Sequence, residues 1–262
     1  MTTRGRAPRL FAVPAALAVA FLTVPLVGLL ARTPWGSIGT ELTSPRVLEA
    51  LRLSLVCSLG AVAVSVVLGV PLAFLLARVA FPGRDLVRAL TTLPMVLPPV
   101  VGGVALLLAF GRRGLVGQWL DRAFGITLPF TTAGAILAEA FVAMPFLVIT
   151  VEAGLRATDR RYEDAAATLG AGRWLTFRRV TLPLIAPSLF AGMALCWARA
   201  LGEFGATITF AGNLPGVTQT MPLAVYLALE TDLEAAIALS LVLLAISLVV
   251  LVALRDRWFP TA

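Results

Sequence analysis

Two charged residues, Arg199 and Glu203, lie four positions apart in an otherwise apolar run. In a helix this spacing puts both side chains on one face, where a guanidinium and a carboxylate can form an ion pair. Charges in such a run are costly and usually face the protein interior or a water-filled path. The pair therefore either fixes helix packing or lies beside a path for an anion. Pairing is how buried charges are usually tolerated, which favours the packing role. Glu139 is a further carboxylate in an apolar run, and direct contact with an anion would be repulsive.

Several kinds of chemistry are excluded by residue types that the sequence lacks. All 21 basic residues are arginine, and there is neither lysine nor histidine. A P-loop needs its lysine to reach nucleotide phosphates, and histidine is the commonest proton shuttle and metal ligand. Cys57 and Cys196 lie in separate apolar runs without metal-ligand spacing. We therefore expect no catalytic residue, no metal site and no cofactor in this chain, and a membrane-embedded enzyme is disfavoured.

The composition predicts an all-α membrane protein. Of 262 residues, 59% are hydrophobic and 13% are charged, whereas about a quarter of a soluble domain is charged. A spanning helix needs about 20 mostly apolar residues. Six runs meet this requirement, and the second helix is expected to begin near Arg46. The six predicted spans are 10–31, 53–77, 89–111, 132–151, 184–210 and 235–254.

The arginines predict the orientation of the spans. Fourteen of them flank the spans on the side that holds both ends of the sequence, and six flank the other side. Cytoplasmic loops are enriched in basic residues, so both termini are predicted to be cytoplasmic. The net charge of +7 then reflects these loops, not nucleic-acid binding. The first apolar run is longer than a signal-peptide core, so we expect a retained anchor.

The cytoplasmic loop 156–183 is too polar to cross lipid. Thr158 or Asp159 could cap a short helix by accepting a backbone N–H bond, and Gly170 stands where that helix would end. A second short helix would place three side chains on one side: Trp174, Phe177 and Thr181. Helices this short are marginal alone. The loop is therefore either a docking knob for another protein or a hairpin lying against lipid headgroups.

Prolines and hydroxyls mark the possible path through the membrane. Pro94, Pro98 and Pro99 interrupt the backbone hydrogen bonds of the third span, which could create a gate or a fixed kink. The segment 207–220, beginning at Thr207, is rich in threonine, glycine and asparagine. Its hydroxyls and N–H groups could hold an oxyanion, although an external turn is the simpler interpretation.

The loop also resembles the EAA loop of ABC importer permeases. Asp164-Ala165-Ala166 is followed at the family's spacing by Gly170 and then by Val180-Thr-Leu-Pro183. Two positions depart from the pattern, because Asp164 replaces glutamate and Val180 replaces isoleucine. The resemblance implies the type I ABC importer permease fold, and a coupling helix that docks on a separate ATPase. The residues that it assigns to docking are Asp164, Ala165, Ala166, Gly170, Arg173, Leu182 and Pro183.

A narrower resemblance points to the molybdate permease subfamily. It is carried by 93–99, 102–103, 111–117, 199–205 and 210–213. Sulfate permeases share the G-E-F-G and A-G-N elements, so a sulfate or thiosulfate permease is the alternative.

Membership would imply a permease domain over 46–254, preceded by a tail, anchor and external loop over 1–45 and followed by a cytoplasmic tail over 255–262. The expected partners are a second copy of the chain, an ATPase that binds ATP and Mg, an external substrate-binding protein and the oxyanion substrate, in a bacterial plasma membrane. Candidate path residues are Pro98, Pro99, Arg199, Glu203 and Thr207. An ion-coupled secondary transporter, which would need no ATPase, remains a rival class.

Overall fold

The computed structural model describes residues 9–258, with side chains described for 11–249 and Val252. These residues form helices and no strand, which confirms the all-α prediction. The helices are α1 (Arg9–Ala31), α2 (Ile38–Leu42), α3 (Pro45–Arg78), α4 (Arg84–Val96), α5 (Pro99–Phe110), α6 (Gly117–Phe124), α7 (Thr132–Ala157), α8 (Arg161–Thr168), α9 (Arg173–Thr176), α10 (Leu182–Leu201), α11 (Gly205–Ala211), α12 (Met221–Thr231) and α13 (Leu233–Trp258). A π-helical turn, Phe177–Thr181, joins α9 to α10.

Within the described part of the chain, four helices are long and apolar enough to cross a membrane. They are Phe11–Ala31, Pro45–Arg78, Thr132–Ala157 and Arg173–Leu201. A fifth span exists if α4 and α5 are counted together, although they are bent by 120°. The predicted span 235–254 falls within α13, of which Leu233–Val249 is a shorter apolar helix.

The core of the molecule is the packing of α3 against α7 and α10. Its buried side chains include Leu76, Leu147, Leu155 and Ile185. Small residues let these helices approach closely, because a Cβ on Gly192 would lie 3.2 Å from the Leu147 side chain. Close approach through small residues is the usual packing device of membrane helices. α1 differs from this core, since its side chains are exposed along its apolar length.

Two of the predicted spans are broken helices. The span predicted over 89–111 divides at Leu97, whose extended conformation (ψ 132°) is the one favoured before proline. Because Pro98 and Pro99 have no N–H, α4 cannot continue through them. The span predicted over 184–210 is not one helix either. α10 ends at Leu201, and α11 starts only at Gly205.

The start of α3 agrees with the sequence prediction. Helix α3 begins at Pro45, one residue before the predicted Arg46. The Ser44 hydroxyl accepts a 3.4 Å hydrogen bond from the Val47 N–H, and proline is well suited to the first helical position. Together the cap and the proline fix where this 34-residue helix enters the bundle.

Candidate functional site

The loop between α7 and α10, residues 156–183, is called the coupling segment below. Thr158 ends α7, and the Asp159 carboxylate accepts a 3.0 Å hydrogen bond from the Arg161 N–H at the start of α8. Gly170 follows α8 with φ of 82°, the left-handed conformation that the sequence predicted for a helix end. The N-cap residue of α8 is Arg160, which makes no side-chain cap bond, so neither predicted cap occupies that position. Asp159 acts from one residue earlier, and the Thr158 hydroxyl bonds back to the Gly154 carbonyl.

The second short helix of the coupling segment is not separate from the following span. α9 passes through the π-helical turn directly into α10, so the helical path runs from Arg173 to Leu201. Pro183 near the start of α10 cannot donate a backbone hydrogen bond, and its ring would crowd the preceding turn of a regular α-helix. The wider π-turn immediately before Pro183 accommodates it, and such turns are frequent at functional sites.

Three arginines bind the carboxyl end of α3. Arg84 donates to the Leu76 carbonyl, and Arg156 donates to the same oxygen at 3.4 Å. Arg160 donates to the Ala77 carbonyl at 3.5 Å and to the next carbonyl at 3.3 Å. The last carbonyls of a helix have no partner within it, and cations are favourable there. Arg156 and Arg160 therefore fasten the coupling segment to the end of α3, and Arg84 fastens the start of α4 to the same end.

Glu163 makes a second set of contacts that hold the coupling segment against α3. Its carboxylate lies 3.0 Å from the Arg78 guanidinium and accepts a 3.1 Å hydrogen bond from the Thr181 hydroxyl. The Arg78 side chain is 8% exposed and Thr181 is buried. We call these three residues the clamp, because they tie α8 to α3 and to the π-turn. Sequence reasoning missed Glu163 and singled out its neighbour Asp164, since nothing local identifies Arg78 as a partner.

The residues predicted to dock on another protein lie mostly on the outside. Asp164, Ala165, Gly170, Arg173 and Pro183 are exposed, and the other two, Ala166 and Leu182, are half-buried. Within residues 9–258 the side chains of Asp164 and Arg173 make no ion pair.

Large apolar side chains accompany these charges on the outer surface of the coupling segment. Leu169 is 89% exposed and Trp174 is 72% exposed, and Tyr162 is exposed too. Trp174 is held by stacking on Phe177, with ring centroids 5.8 Å apart. A surface of unpaired charges and anchored aromatic groups is suited to binding another protein.

The Arg199–Glu203 pair forms as its spacing predicts. The two groups are 2.7 Å apart, and Glu203 is 1% exposed. The other carboxylate oxygen of Glu203 accepts a 2.8 Å hydrogen bond from the Ala206 N–H. Glu203 thus neutralises Arg199 and also caps the start of α11, where a negative charge is favourable. Both contacts support the packing role.

The two helix breaks meet at Pro99 and Gly205. A Cβ placed on Gly205 would lie 2.8 Å from the Pro99 Cβ, and one on Gly103 would lie 2.6 Å from the Thr209 Cβ. α5 and α11 therefore touch almost backbone to backbone. Of the predicted path residues, the structure brings Pro99 beside the break that contains Glu203, and both Pro98 and Pro99 are exposed.

Two buried polar side chains lie on the helices that pack here, Thr207 on α11 and Glu139 on α7. Within the described chain, the Thr207 hydroxyl and one Glu139 oxygen have no hydrogen-bond partner, although both residues are buried. No three His, Cys, Asp or Glu residues within 9–258 gather as a metal site.

We expect Gly205→Ala to destabilise the chain by about 1–3 kcal/mol, the usual cost of overpacking. The Pro99 ring is rigid and cannot move aside for the new methyl group. Gly28→Ala is the matched control, because it lies in a spanning helix with open space around it. Thermal unfolding in detergent measures both variants. Equal melting temperatures for both would show that the contact of α5 with α11 is loose.

The segment 207–220 ends in a buried turn that is held by its own hydrogen bonds. The Gln219 amide donates to the Asn213 side chain at 3.0 Å, and the Thr218 hydroxyl accepts from the Leu214 N–H at 3.0 Å. Within the described chain the buried Thr220 hydroxyl, like that of Thr207, has no hydrogen-bond partner.

Comparisons with known proteins agree with this architecture. The model of the family described as "binding-protein-dependent transport system inner membrane component" matches residues 65–259. The chain belongs to this family. It is therefore a multi-pass protein of the inner membrane, and the predicted ABC importer permease family is confirmed.

Relatives within the family transport different substrates. The molybdenum transport system permease protein ModB of Mycobacterium bovis is 45% identical over 250 residues, which cover 95% of this chain and 94% of that protein. The sulfate transport system permease protein CysT of Escherichia coli is 41% identical over 227 residues, covering 86% and 82%. A bacterial ABC transporter involved in import of the acidic polysaccharide alginate matches with a TM-score of 0.72 at 20% identity, covering 95% of this chain and 94% of that one. This last likeness concerns the fold, and it confirms the type I ABC permease fold.

Proposed function

We propose that this chain is the permease subunit of an ATP-driven importer for molybdate or tungstate. In this proposal two copies, each with six spans and cytoplasmic termini, form the path. A separate ATPase binds ATP and Mg and docks on the coupling segment, and an external binding protein delivers the oxyanion. The chain itself hydrolyses nothing, since its sequence has no lysine for a P-loop.

The observation that carries the proposal is the construction of the coupling segment. Its outer surface has unpaired charges and exposed apolar groups at Asp164, Leu169 and Trp174. Its inner side is fastened to α3 by the clamp and continues into α10 without a hinge of irregular backbone. A push on the outer surface would thus move α3 and α10 together. α10 leads to Glu203, whose carboxylate caps α11 beside Pro99. This is a continuous connection from a docking surface to the broken helices.

The substrate is proposed from the relatives. ModB at 45% identity over 95% of the chain favours molybdate or tungstate. CysT at 41% identity over 86% keeps sulfate or thiosulfate as the second candidate. Uptake of molybdate, tungstate and sulfate into proteoliposomes, with the ATPase and binding protein, would decide between them. Saturable uptake of sulfate alone would contradict the molybdate assignment.

Asp164→Arg is expected to weaken binding of the ATPase at least about tenfold, because it reverses an unpaired charge at the centre of the docking surface. Co-purification and ATP-driven uptake are the measurements. Asp85→Arg is the control, since Asp85 is 96% exposed on the same predicted cytoplasmic side but outside the coupling segment.

A second pair of variants tests the backbone conformation that follows α8. Gly170→Val is strained, because residue 170 has a φ of 82°. Gly172→Val is its control, because residue 172 has an ordinary φ of −67°. Normal uptake without any ATPase would overturn the proposal in favour of a secondary transporter.

A further inference from the structure

A second charged surface lies at the opposite end of the molecule from the coupling segment. Residues 111–122, which we call the arginine turn, comprise the link from α5 to α6 and most of α6 itself, and they precede the start of α7. α7 has 26 residues and is therefore about 39 Å long. Since the coupling segment follows the end of α7, the arginine turn lies on the other side of the membrane, which is external in the proposed topology.

The arginine turn carries a net positive charge that topology does not explain. It contains Arg112, Arg113 and Arg122 against a single acid, Asp121. Arg112 pairs with Asp121 at 3.1 Å, an exposed contact. Within the described residues, Arg113 and Arg122 make no ion pair. External flanks are normally poor in arginine, so three in one short turn call for another reason.

The backbone beneath these arginines is tightly fixed. The Leu115 N–H donates to the Leu108 carbonyl at 3.1 Å, and the Val116 N–H donates to the Ala109 carbonyl at 2.8 Å. A Cβ on Gly114 would lie 2.6 Å from the Leu108 carbonyl oxygen, and one on Gly117 would lie 2.0 Å from the Gly111 oxygen. The turn folds back on the end of α5 so closely that these positions need glycine. Such a fixed turn leaves little backbone ordering entropy to lose on binding.

The side chains form a hollow beside exposed apolar groups. The hollow has a volume of about 320 Å³ and is lined by Arg112, Arg113, Gln118, Asp121 and Arg122. In the same segment Leu115 is 78% exposed and Trp119 is 64% exposed. Guanidinium groups recognise carboxylates through paired N–H donors. Arginine and tryptophan together are the residue types that contribute most to protein–protein binding.

We propose that the arginine turn is the contact for carboxylates on the external substrate-binding protein. The inference rests on the proposed function, because that function supplies an external protein partner. A fixed turn with two unpaired guanidiniums takes aspartate or glutamate side chains of the partner into the hollow, and Leu115 and Trp119 cover the contact from water. Charge attraction of this kind raises the association rate and makes binding depend on salt.

The test measures binding of the substrate-loaded binding protein to the permease–ATPase complex in nanodiscs of zwitterionic lipid. The variant Arg113→Glu with Arg122→Glu should bind at least about tenfold more weakly, and its binding should depend less on salt than the wild type. Arg32→Glu with Arg52→Glu is the matched control, because both are exposed arginines predicted on the same external side, and this variant should bind as the wild type does. A milder pair, Arg113→Gln with Arg122→Gln, gives an intermediate loss, and melting temperatures check folding.

Every other outcome contradicts the proposed role of the arginine turn. Wild-type affinity in the Arg113→Glu, Arg122→Glu variant overturns the inference. An equal loss in Arg32→Glu with Arg52→Glu also overturns it, because that result would indicate only the net positive charge of the external surface. A loss seen solely in nanodiscs of anionic lipid would assign the turn to lipid headgroups. Loss of free molybdate binding with intact affinity for the binding protein would assign it to the anion. If the wild-type complex binds no such protein, the proposed function itself fails.

Discussion

Glu163→Gln is expected to loosen the coupling segment about 100-fold and to lower ATP-driven uptake at least about tenfold. The substitution leaves the Arg78 guanidinium, which is 8% exposed, without its counter-ion. Removing one partner of a buried ion pair costs about 3–5 kcal/mol, and about 3 kcal/mol corresponds to roughly 100-fold in an opening equilibrium. Amide hydrogen exchange over residues 161–181 measures the opening, and proteoliposome uptake measures the transport.

Two neighbouring acids provide the controls for the clamp. Asp159→Asn removes a carboxylate that is 54% exposed and lies 3.7 Å from Arg161. Neither the amide hydrogen exchange of the coupling segment beyond α8 nor ATP-driven uptake should change. Asp164→Asn should leave exchange unchanged while weakening the ATPase contact, because the Asp164 side chain has no ion-pair partner in the described chain. The clamp is refuted if Glu163→Gln exchanges as the wild type does, or if Asp164→Asn raises exchange to the same extent.

The clamp also shows where sequence reasoning about this site ended. α8 and Gly170 follow from local rules, namely a capping acid and a residue that tolerates positive φ. The ion pair between Arg78 and Glu163 joins positions far apart in the sequence, and only the packing of α3 beside α8 brings them together. A family pattern pointed to Asp164, which faces outward, and so the inward contact one residue earlier was not found.

The two helix breaks also differ in how far the sequence predicts them. Pro98 and Pro99 predict the break between α4 and α5, since proline removes a backbone donor. The break before α11 is not predicted, because the run 184–210 has the length of a span and is apolar except for Arg199 and Glu203. The spacing of Arg199 and Glu203 predicts their pairing. It does not predict that Glu203 also caps α11, since that bond exists only because the helix restarts at Gly205.

Arg199→Gln is expected to destabilise the protein by about 3–5 kcal/mol, because it leaves the Glu203 carboxylate buried without a counter-ion. Glu203 is 1% exposed, whereas the Arg199 side chain is 28% exposed, so the two partners are not equivalent. Glu203→Gln should cost less, since its amide oxygen can still accept from the Ala206 N–H and Arg199 retains some access to solvent. Denaturant unfolding in detergent micelles measures these differences.

The double variant Arg199→Gln with Glu203→Gln distinguishes a role of the ion pair in helix packing from a role in transport. If the pair stabilises the break between α10 and α11, removing both charges should recover much of the stability lost in Arg199→Gln, because no unpaired charge remains buried. Arg52→Gln, at an exposed arginine, controls for the loss of one positive charge. Normal unfolding of Arg199→Gln together with reduced anion uptake would show instead that Arg199 acts on the passing anion. Since Glu203 fixes the start of α11 where Gly205 meets Pro99, we expect stability and uptake to fall together.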